Sequence, residues 1–361
     1  MVACNYCRQP SYLLHLIIMQ KTKLPSRQPK KRTVVIVASP NTRLLDIAGP
    51  GDVFSIASNI VKNKPGSNTE GYEVLVASAT KSKQVVTSSG IRIVANVSLM
   101  DIDFPVDTLL IGGASFSVID KIPTNFYSWI ADHYKDIRRM GSVCVGAFVL
   151  ARAGLLDNKC ATTHWEYCAR LKEEFPTIKV DNGPFYVNDG KVYTSGGLSS
   201  GIDLSLALVE EDLGRDVALQ VARKLVLHLK RTGSQLQFSN LLITEELKSP
   251  LVSTIRHWLQ KNLDKELRVE QMAEQASMSP RNFARVFLKE TMLTPAKFVE
   301  KLRVDVVRQY LEDTDLSMEQ IAERCGLDNV VSMRRVFLRH LQLTPSFYRH
   351  SFRTALTAEL A

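Results

Sequence analysis

The sequence predicts an α/β domain followed by an all-α domain. Three observations carry this. Between residues 33 and 229, short β-branched runs alternate with helical stretches. Beyond about residue 250 the strand pattern vanishes, and every segment places apolar residues at i, i+3 and i+4. Within that helical region a single motif occurs twice. The length of 361 residues suits two domains, on a prior of about 150 residues each.

The first 32 residues carry seven Lys or Arg and no acidic residue, with Pro10, Pro25 and Pro29 and no periodicity. They read as a basic disordered tail over 1–32, with the start codon at Met1 or Met19. This tail accounts for most of the net charge of +9, because residues 33–250 sum to −1 and residues 251–361 to +3. The overall charge is therefore no nucleic-acid footprint by itself. With 45% hydrophobic and 23% charged residues, the chain is neither disordered throughout nor collagen-like. No apolar run approaches the roughly 18–20 residues that span a bilayer, so no membrane partner is expected. The run 13–19 is broken by His15 and lacks a small-residue cleavage site, which makes it a poor signal peptide.

Six cysteines, at 4, 7, 144, 160, 168 and 325, lack the density of a disulfide framework. Cys4 and Cys7 form a lone Cys-x-x-Cys pair, so no metal site and no cofactor are expected, and the compartment reads as reducing and cytoplasmic.

Residues 33–38 have the pattern of a buried parallel strand. A helix is expected over 51–60, and strands over 72–77, 91–95, 108–111 and 142–144. A strand at 192–195 leads into a helix over 201–211, and a second helix covers 217–229. These make one α/β domain over 33–229. Residues 230–250 read as a polar linker, and 251–361 as the helical domain.

In the helical domain, Leu267-Arg-Val-Glu-Gln-Met-Ala-Glu274 matches Leu316-Ser-Met-Glu-Gln-Ile-Ala-Glu323 at an offset of 49. Arg285-Val-Phe-Leu-Lys289 matches Arg335-Val-Phe-Leu-Arg339 at an offset of 50. Each copy reads as a helix-turn-helix unit. Gly326 supplies the second turn, Ser279 with Pro280 starts one second helix, Asp328 caps the other, and Ser317 with Gln320 forms a capping box. A helix over 295–312, about 26 Å long, sets the two units apart. That spacing is compatible with neighbouring major grooves roughly 34 Å apart. With Phe283, Phe287, Met333 and Phe337 inward, the first recognition helix exposes Arg281, Asn282, Arg285 and Lys289. The second exposes Asn329, Ser332, Arg334, Arg335 and Arg339. Arg and Asn suit guanine and adenine edges, and the longer cations suit phosphates. A double-stranded DNA operator is the expected partner.

These segments, with the run Ile321-Ala-Glu-Arg-Cys-Gly326 and the Leu343-Thr-Pro345…Tyr348-Arg349 ending, resemble the AraC/XylS-type DNA-binding domain. The family usually has Phe at Leu327 and Gly at Met292 and Gln342.

In the α/β domain, Gly141-Ser-Val-Cys144-Val-Gly146-Ala147 places a cysteine between a short strand and a helix, among small residues. This is a nucleophile-elbow pattern, and a helix N-terminus is expected to favour the thiolate. Gly112 and Gly113 end a strand and offer backbone N–H groups for an anion nest. Asp46 follows the first strand as a helix cap or ligand contact, and His164 follows a later strand. The pocket is expected at the carboxyl ends of the strands.

These segments resemble the ThiJ/PfpI superfamily, which implies a flavodoxin-like parallel sheet with Asp46 facing Cys144 and His164 nearby. The histidine that follows the cysteine in peptidase-like members is replaced by Val145. Joined to an AraC-type domain, and with Ala161-Thr-Thr-His-Trp165, Thr194-Ser-Gly-Gly197 and Gly201-Ile-Asp203, the chain is similar to the GlxA family of bacterial transcriptional regulators. That resemblance implies a DNA-binding regulator whose α/β domain dimerises and senses a small, nitrogenous effector. Asp46, Gly112, Gly113, Cys144, Val145 and His164 would be its ligand contacts, with no catalysis expected. The rival reading is a ThiJ/PfpI enzyme, isonitrile hydratase- or amidase-like, with Cys144, Asp46 and His164 as its catalytic set. A redox sensor acting through Cys144 is a third.

Overall fold

A computed structural model describes residues 31–64, 71–231, 233–238 and 249–352. The tail expectation for residues 1–30, linker residues 232 and 239–248, and the last nine residues of the helical domain lie outside the described residues. Arg32, assigned to the tail, is the first residue of a strand.

The α/β domain runs β1 (Arg32–Ala38), α1 (Leu44–Lys62), β2 (Tyr72–Ser78), β3 (Gln84–Val86), β4 (Arg92–Val94), β5 (Val97–Ser98) and β6 (Thr108–Ile111). It continues with α2 (Phe116–Ile119), α3 (Thr124–His133), β7 (Arg139–Val143), α4 (Gly146–Arg152), β8 (Cys160–Ala161), α5 (Cys168–Glu174) and β9 (Lys179–Val180). It closes with β10 (Tyr186–Asp189), β11 (Val192–Ser195), α6 (Ser199–Leu213) and α7 (Arg215–Lys224). The main sheet has the order β10-β11-β7-β6-β1-β2-β5. Its pairings are parallel except β10 with β11.

The β-branched run in β1 explains the layering. Alternate side chains leave opposite faces of a strand. Val35 and Val37 join Leu109, Ile111, Ile130 and Phe148 on one face. Val34 and Ile36 join Phe54, Leu110, Leu204 and Val221 on the other. Both faces are covered, as a parallel sheet requires.

Three expected elements differ. Residues 91–95 do not enter the main sheet, because β4 pairs antiparallel with β3 in an outlying hairpin. Arg92 and Val94 are exposed there while Ile93 packs inward, and such alternation suits a half-buried hairpin rather than a strand covered on both sides. The helix expected over 51–60 begins at Leu44, through Gly49 and Pro50. Gly49 is there for close packing, since a Cβ at that position would lie 2.8 Å from Ile202 of α6. The helix expected over 217–229 ends at Lys224, and Val226 follows with a left-handed φ of 58°.

A 3-10 turn at Gln235–Gln237 lies inside the expected linker. The helical domain follows as α8 (Pro250–Gln260), α9 (Val269–Gln275), α10 (Pro280–Thr291), α11 (Pro295–Asp313), α12 (Met318–Arg324), α13 (Val330–Leu341) and α14 (Pro345–Phe352). Helices α9–α10 and α12–α13 are the two helix-turn-helix units. Ser279 accepts the Asn282 N–H at the start of α10, and Ser317 with Gln320 forms the capping box of α12. The cap of α13 is Asn329 rather than Asp328. Its Oδ1 accepts the Ser332 N–H at 2.8 Å, so some of the hydrogen-bonding capacity of this candidate DNA contact is engaged in capping.

Helix α11, about 28 Å long at 1.5 Å per residue, feeds two separate cores. Phe298 and Leu302 pack with Phe283, Phe287, Val252 and Leu259. Val307 and Leu311 pack with Ile321, Met333, Phe337 and Tyr348. Among the described residues, no helix is long and apolar enough to cross a membrane.

Candidate functional site

The turn between β7 and α4 puts Cys144 in a left-handed conformation, φ 58°, which costs a non-glycine residue on the order of 1–3 kcal/mol. The surroundings hold it there. Its N–H donates to Ser195 O at 3.1 Å, and its carbonyl accepts the Thr163 hydroxyl at 2.8 Å. Small neighbours are required: a Cβ on Gly113 would lie 3.0 Å from Cys144 Cβ, and one on Gly197 would lie 2.9 Å from its Sγ.

A cavity of about 320 Å³ opens over this turn. Its walls come from the carboxyl ends of strands. Asn41 and Arg43 follow β1, Gly113 to Phe116 follow β6, Cys144 and Val145 follow β7, and Leu198 follows β11. His164, Glu166 and Tyr167 close it from the segment after β8. Strands β1 and β6 are adjacent although the chain leaves β1 in the opposite direction, toward β2. The cavity thus lies at the switch point of the sheet, where open α/β folds leave a crevice.

Of the candidate residues, Gly113, Cys144, Val145 and His164 reach this cavity; Asp46 and Gly112 stand behind its wall. Asp46 is fully buried. Its Oδ2 accepts the Gly113 N–H at 3.0 Å and its Oδ1 the Leu198 N–H at 3.2 Å. It caps no helix; it ties the ends of β6 and β11 to α1. Burial pushes its carboxyl up to about 6, against the pull of these two hydrogen bonds and of Arg43.

This corrects the expectation of an anion nest. The Gly112 N–H is spent on Val37 O at 3.0 Å and that of Gly113 on Asp46. The expected thiolate is corrected as well. Burial, then the neighbouring Asp46, push the Cys144 thiol up to about 12, outweighing the hydrogen bond from Val145 N–H. The helix start cannot offset the loss of water around the sulfur.

His164 Nδ1 accepts the Glu166 N–H at 3.4 Å and stands 3.8 Å from the Glu166 carboxylate. Burial lowers its pKa despite that carboxylate, so the ring is neutral at pH 7 with its proton assigned to Nε2. Among the described residues no hydrogen bond joins His164 to Cys144.

Sequence reasoning missed the remaining wall residues, of which Arg43, Glu166, Phe116 and Tyr167 carry charge or an aromatic ring. The Arg43 side chain makes no hydrogen bond or ion pair among the described residues, and it is exposed at the cavity mouth. Glu166 offers the opposite charge. Phe116 and Tyr167 meet edge-on at 5.1 Å, and the Arg170 guanidinium covers the Phe116 ring at 3.6 Å. The position of Arg43 just after the first strand was the available signal.

On the helical domain, Phe283, Phe287, Met333 and Phe337 are buried. Arg281, Asn282, Arg285, Lys289, Asn329, Arg334, Arg335 and Arg339 are exposed, and Ser332 is half-buried. The side chains of Arg281, Lys289, Arg334 and Arg335 make no hydrogen bond or ion pair among the described residues. Arg285 donates to Asn282 Oδ1 at 2.9 Å, and Arg339 pairs with Glu300 of α11 at 2.9 Å.

The model of the DJ-1/PfpI family matches residues 31–211, and a helix-turn-helix domain model matches residues 272–351. The HTH-type transcriptional regulator GbdR of Pseudomonas aeruginosa is 25% identical over 295 residues, 81% of this chain and 80% of GbdR. The HTH-type transcriptional regulator GlxA of Rhizobium meliloti is 29% identical over 211 residues, 58% of this chain and 65% of GlxA. An isonitrile hydratase of Pseudomonas putida is 32% identical over 191 residues, 52% of this chain and 74% of that enzyme.

Proposed function

The chain belongs to the DJ-1/PfpI family and joins that domain to an AraC-type helix-turn-helix domain, the composition of a transcriptional regulator; from this premise we propose that it binds a DNA operator sequence-specifically and senses a small nitrogenous metabolite without turning it over. The sensor domain spans residues 33–229, the linker 230–250 and the DNA-binding domain 251–361. The observation that carries the non-catalytic reading is the state of the elbow. Cys144 is a buried thiol, Asp46 is committed to two backbone N–H groups, and His164 is turned to Glu166. Among the described residues no base is hydrogen-bonded to the sulfur, the arrangement that activates a nucleophile.

The cavity is at the small end of ligand pockets, which run from about 300 to 1,000 Å³. Arg43 suits a carboxylate, while Glu166 and the rings of Phe116 and Tyr167 suit a cationic nitrogen. A small zwitterion satisfies both. Gly113, Cys144, Val145 and His164 contact it, whereas Asp46 and Gly112 shape the wall.

The same reading includes a homodimer formed through the α/β domain. Val86, Ile91 and Val94 of the outlying hairpin are 48%, 50% and 76% exposed, an apolar surface that a second copy would cover. Val94→Asp should then shift the chain to monomer in analytical ultracentrifugation.

The deciding experiment has two arms. Duplexes selected from a random pool by the purified chain are sequenced, and a shared motif is expected. Thermal unfolding is then followed with amino acids and quaternary amines, alongside a search for product from amides and isonitriles. Multiple turnover that depends on Cys144 would replace the sensor with the enzyme supported by the isonitrile hydratase likeness.

A further inference from the structure

The 3-10 turn Gln235–Gln237 is shared residue by residue between the two domains. Gln235 is 3% exposed, and its amide is fully engaged in the α/β domain. Nε2 donates to Thr162 Oγ1 at 3.1 Å, Thr163 O at 3.2 Å and Pro184 O at 2.8 Å. Oε1 accepts the Trp165 N–H at 3.1 Å. These partners bracket His164 in the cavity wall, and Thr163 also holds the Cys144 carbonyl. The adjacent glycines complete the socket. Gly197 lies against Cys144 Sγ, while Gly196 lies against Gln235, where a Cβ would come within 2.1 Å of the amide carbon.

The next residues face the other domain. Leu236 packs on the core of the second helix-turn-helix unit, the cluster containing Phe337 of α13 and Tyr348 of α14. The Gln237 carbonyl accepts from Arg308 of α11 at 3.2 Å, and the same guanidinium donates to the Tyr348 hydroxyl at 3.0 Å. The Phe238 ring lies 6.4 Å from Phe185 of the α/β domain and 5.6 Å from Phe352 of α14. Among the described residues, no linker side chain joins the core of the first unit.

A simple tether has no need of a buried, fully hydrogen-bonded amide, since such a group is costly unless every partner is in place. We infer that this turn is the coupling element through which occupancy of the Cys144 cavity reaches the second helix-turn-helix unit. Gln235 is its positioning residue on the sensor side and Leu236 its anchor on the DNA-binding side. The inference rests on the sensor reading above and names its regulation. A ligand that displaces the segment around His164 alters two walls of the Gln235 socket at once. Coupling of this kind is reciprocal, so a change at Leu236 must also be felt at the cavity.

Hydrogen exchange of the full chain, read by mass spectrometry, tests this without effector or operator. Gln235→Ala should accelerate exchange about five- to tenfold in residues 162–167 and also in α13. Leu236→Ala should accelerate α13 and also residues 162–167. Helix α10 of the first unit should be unchanged in both. Should Gln235→Ala fail to fold, Gln235→Met keeps the volume of the side chain without a charge and removes its hydrogen bonds. Propagation in both directions supports the coupling. An effect confined to the substituted residue's own side in either variant overturns it, and so does equal acceleration of α10, which reports general loosening. Because no ligand is used, the coupling can fail while metabolite binding stands, and the reverse.

Discussion

The two helix-turn-helix units share a sequence pattern but not an environment. In the first, the turn residue Ser277 has φ 52° and is exposed. In the second, Gly326 takes the same place with φ 63°. A Cβ at Gly326 would lie 2.0 Å from the Leu263 carbonyl oxygen and 2.6 Å from Arg303 Nη2. The same backbone turn therefore tolerates serine where it faces water and demands glycine where it faces the first unit. The recognition helices diverge likewise. Lys289 makes no ion pair among the described residues, whereas its counterpart Arg339 is held by Glu300, which also pairs with His340 at 2.7 Å. The second unit also receives Leu236 from the linker turn. The two units share a motif, but among the described residues the linker turn packs on the core of the second.

The largest test of this asymmetry is an exchange of turn residues. Gly326→Ser should destabilise the chain by about 3 kcal/mol or more, through backbone overlap and left-handed strain. Ser277→Gly should be neutral or stabilising by under about 1 kcal/mol. Urea denaturation followed by tryptophan fluorescence distinguishes them, and equal effects would erase the claimed difference. Next come the candidate DNA contacts. Arg281→Ala or Asn282→Ala should cost about 1–3 kcal/mol in operator affinity and relax specificity at one half of the site. Arg335→Ala should weaken binding evenly across sequences and flatten the salt dependence. Gel-shift titrations at several salt concentrations separate these cases, and three unchanged affinities would remove both helices from the interface.

A smaller effect is expected at the held arginine. Glu300→Gln releases Arg339 and should raise DNA affinity by up to about 1 kcal/mol, steepening the salt slope; no change would mean that the pair persists on DNA. The smallest concerns the helix ends. Met292 and Gln342 follow α10 and α13 with φ of 54° and 60°, where glycine is favoured. Each →Gly substitution should stabilise by roughly 0.4–1 kcal/mol. A smaller gain for Gln342 than for Met292 would show that the glutamine has a compensating contact. Differential melting temperatures give the answer.

The departures at Met292 and Gln342 were visible in the sequence, but their meaning was not. They read only as departures from the family's glycines, whereas the backbone shows strain tolerated at exposed helix ends. The cavity was legible to a similar degree. Cys144, Val145, Gly113 and His164 were placed at it from small residues around an elbow and from strand ends. Arg43, Glu166, Phe116 and Tyr167 were missed because no motif marks them; only the convergence of four strand ends brings them together. Residues 91–95 misled for a related reason. A β-branched run is the same in a buried strand and in a half-covered hairpin, and only the pairing partner tells them apart.

The sequence by itself determined what depends on near neighbours along the chain: the α/β-to-helical order, the duplicated helix-turn-helix units, their inward phenylalanines and the cysteine elbow. Periodicity, capping and tight turns are local, so a few adjacent residues specify them. Only the tertiary structure decided which polar groups remain available. Asp46 spends its carboxylate on N–H groups 67 and 152 residues away, and Gln235 spends its amide on a wall 70 to 73 residues away. Whether Cys144 is thiol or thiolate follows from the water excluded around it. Desolvation and hydrogen-bond partnership are properties of the packed surroundings, and no stretch of sequence contains them.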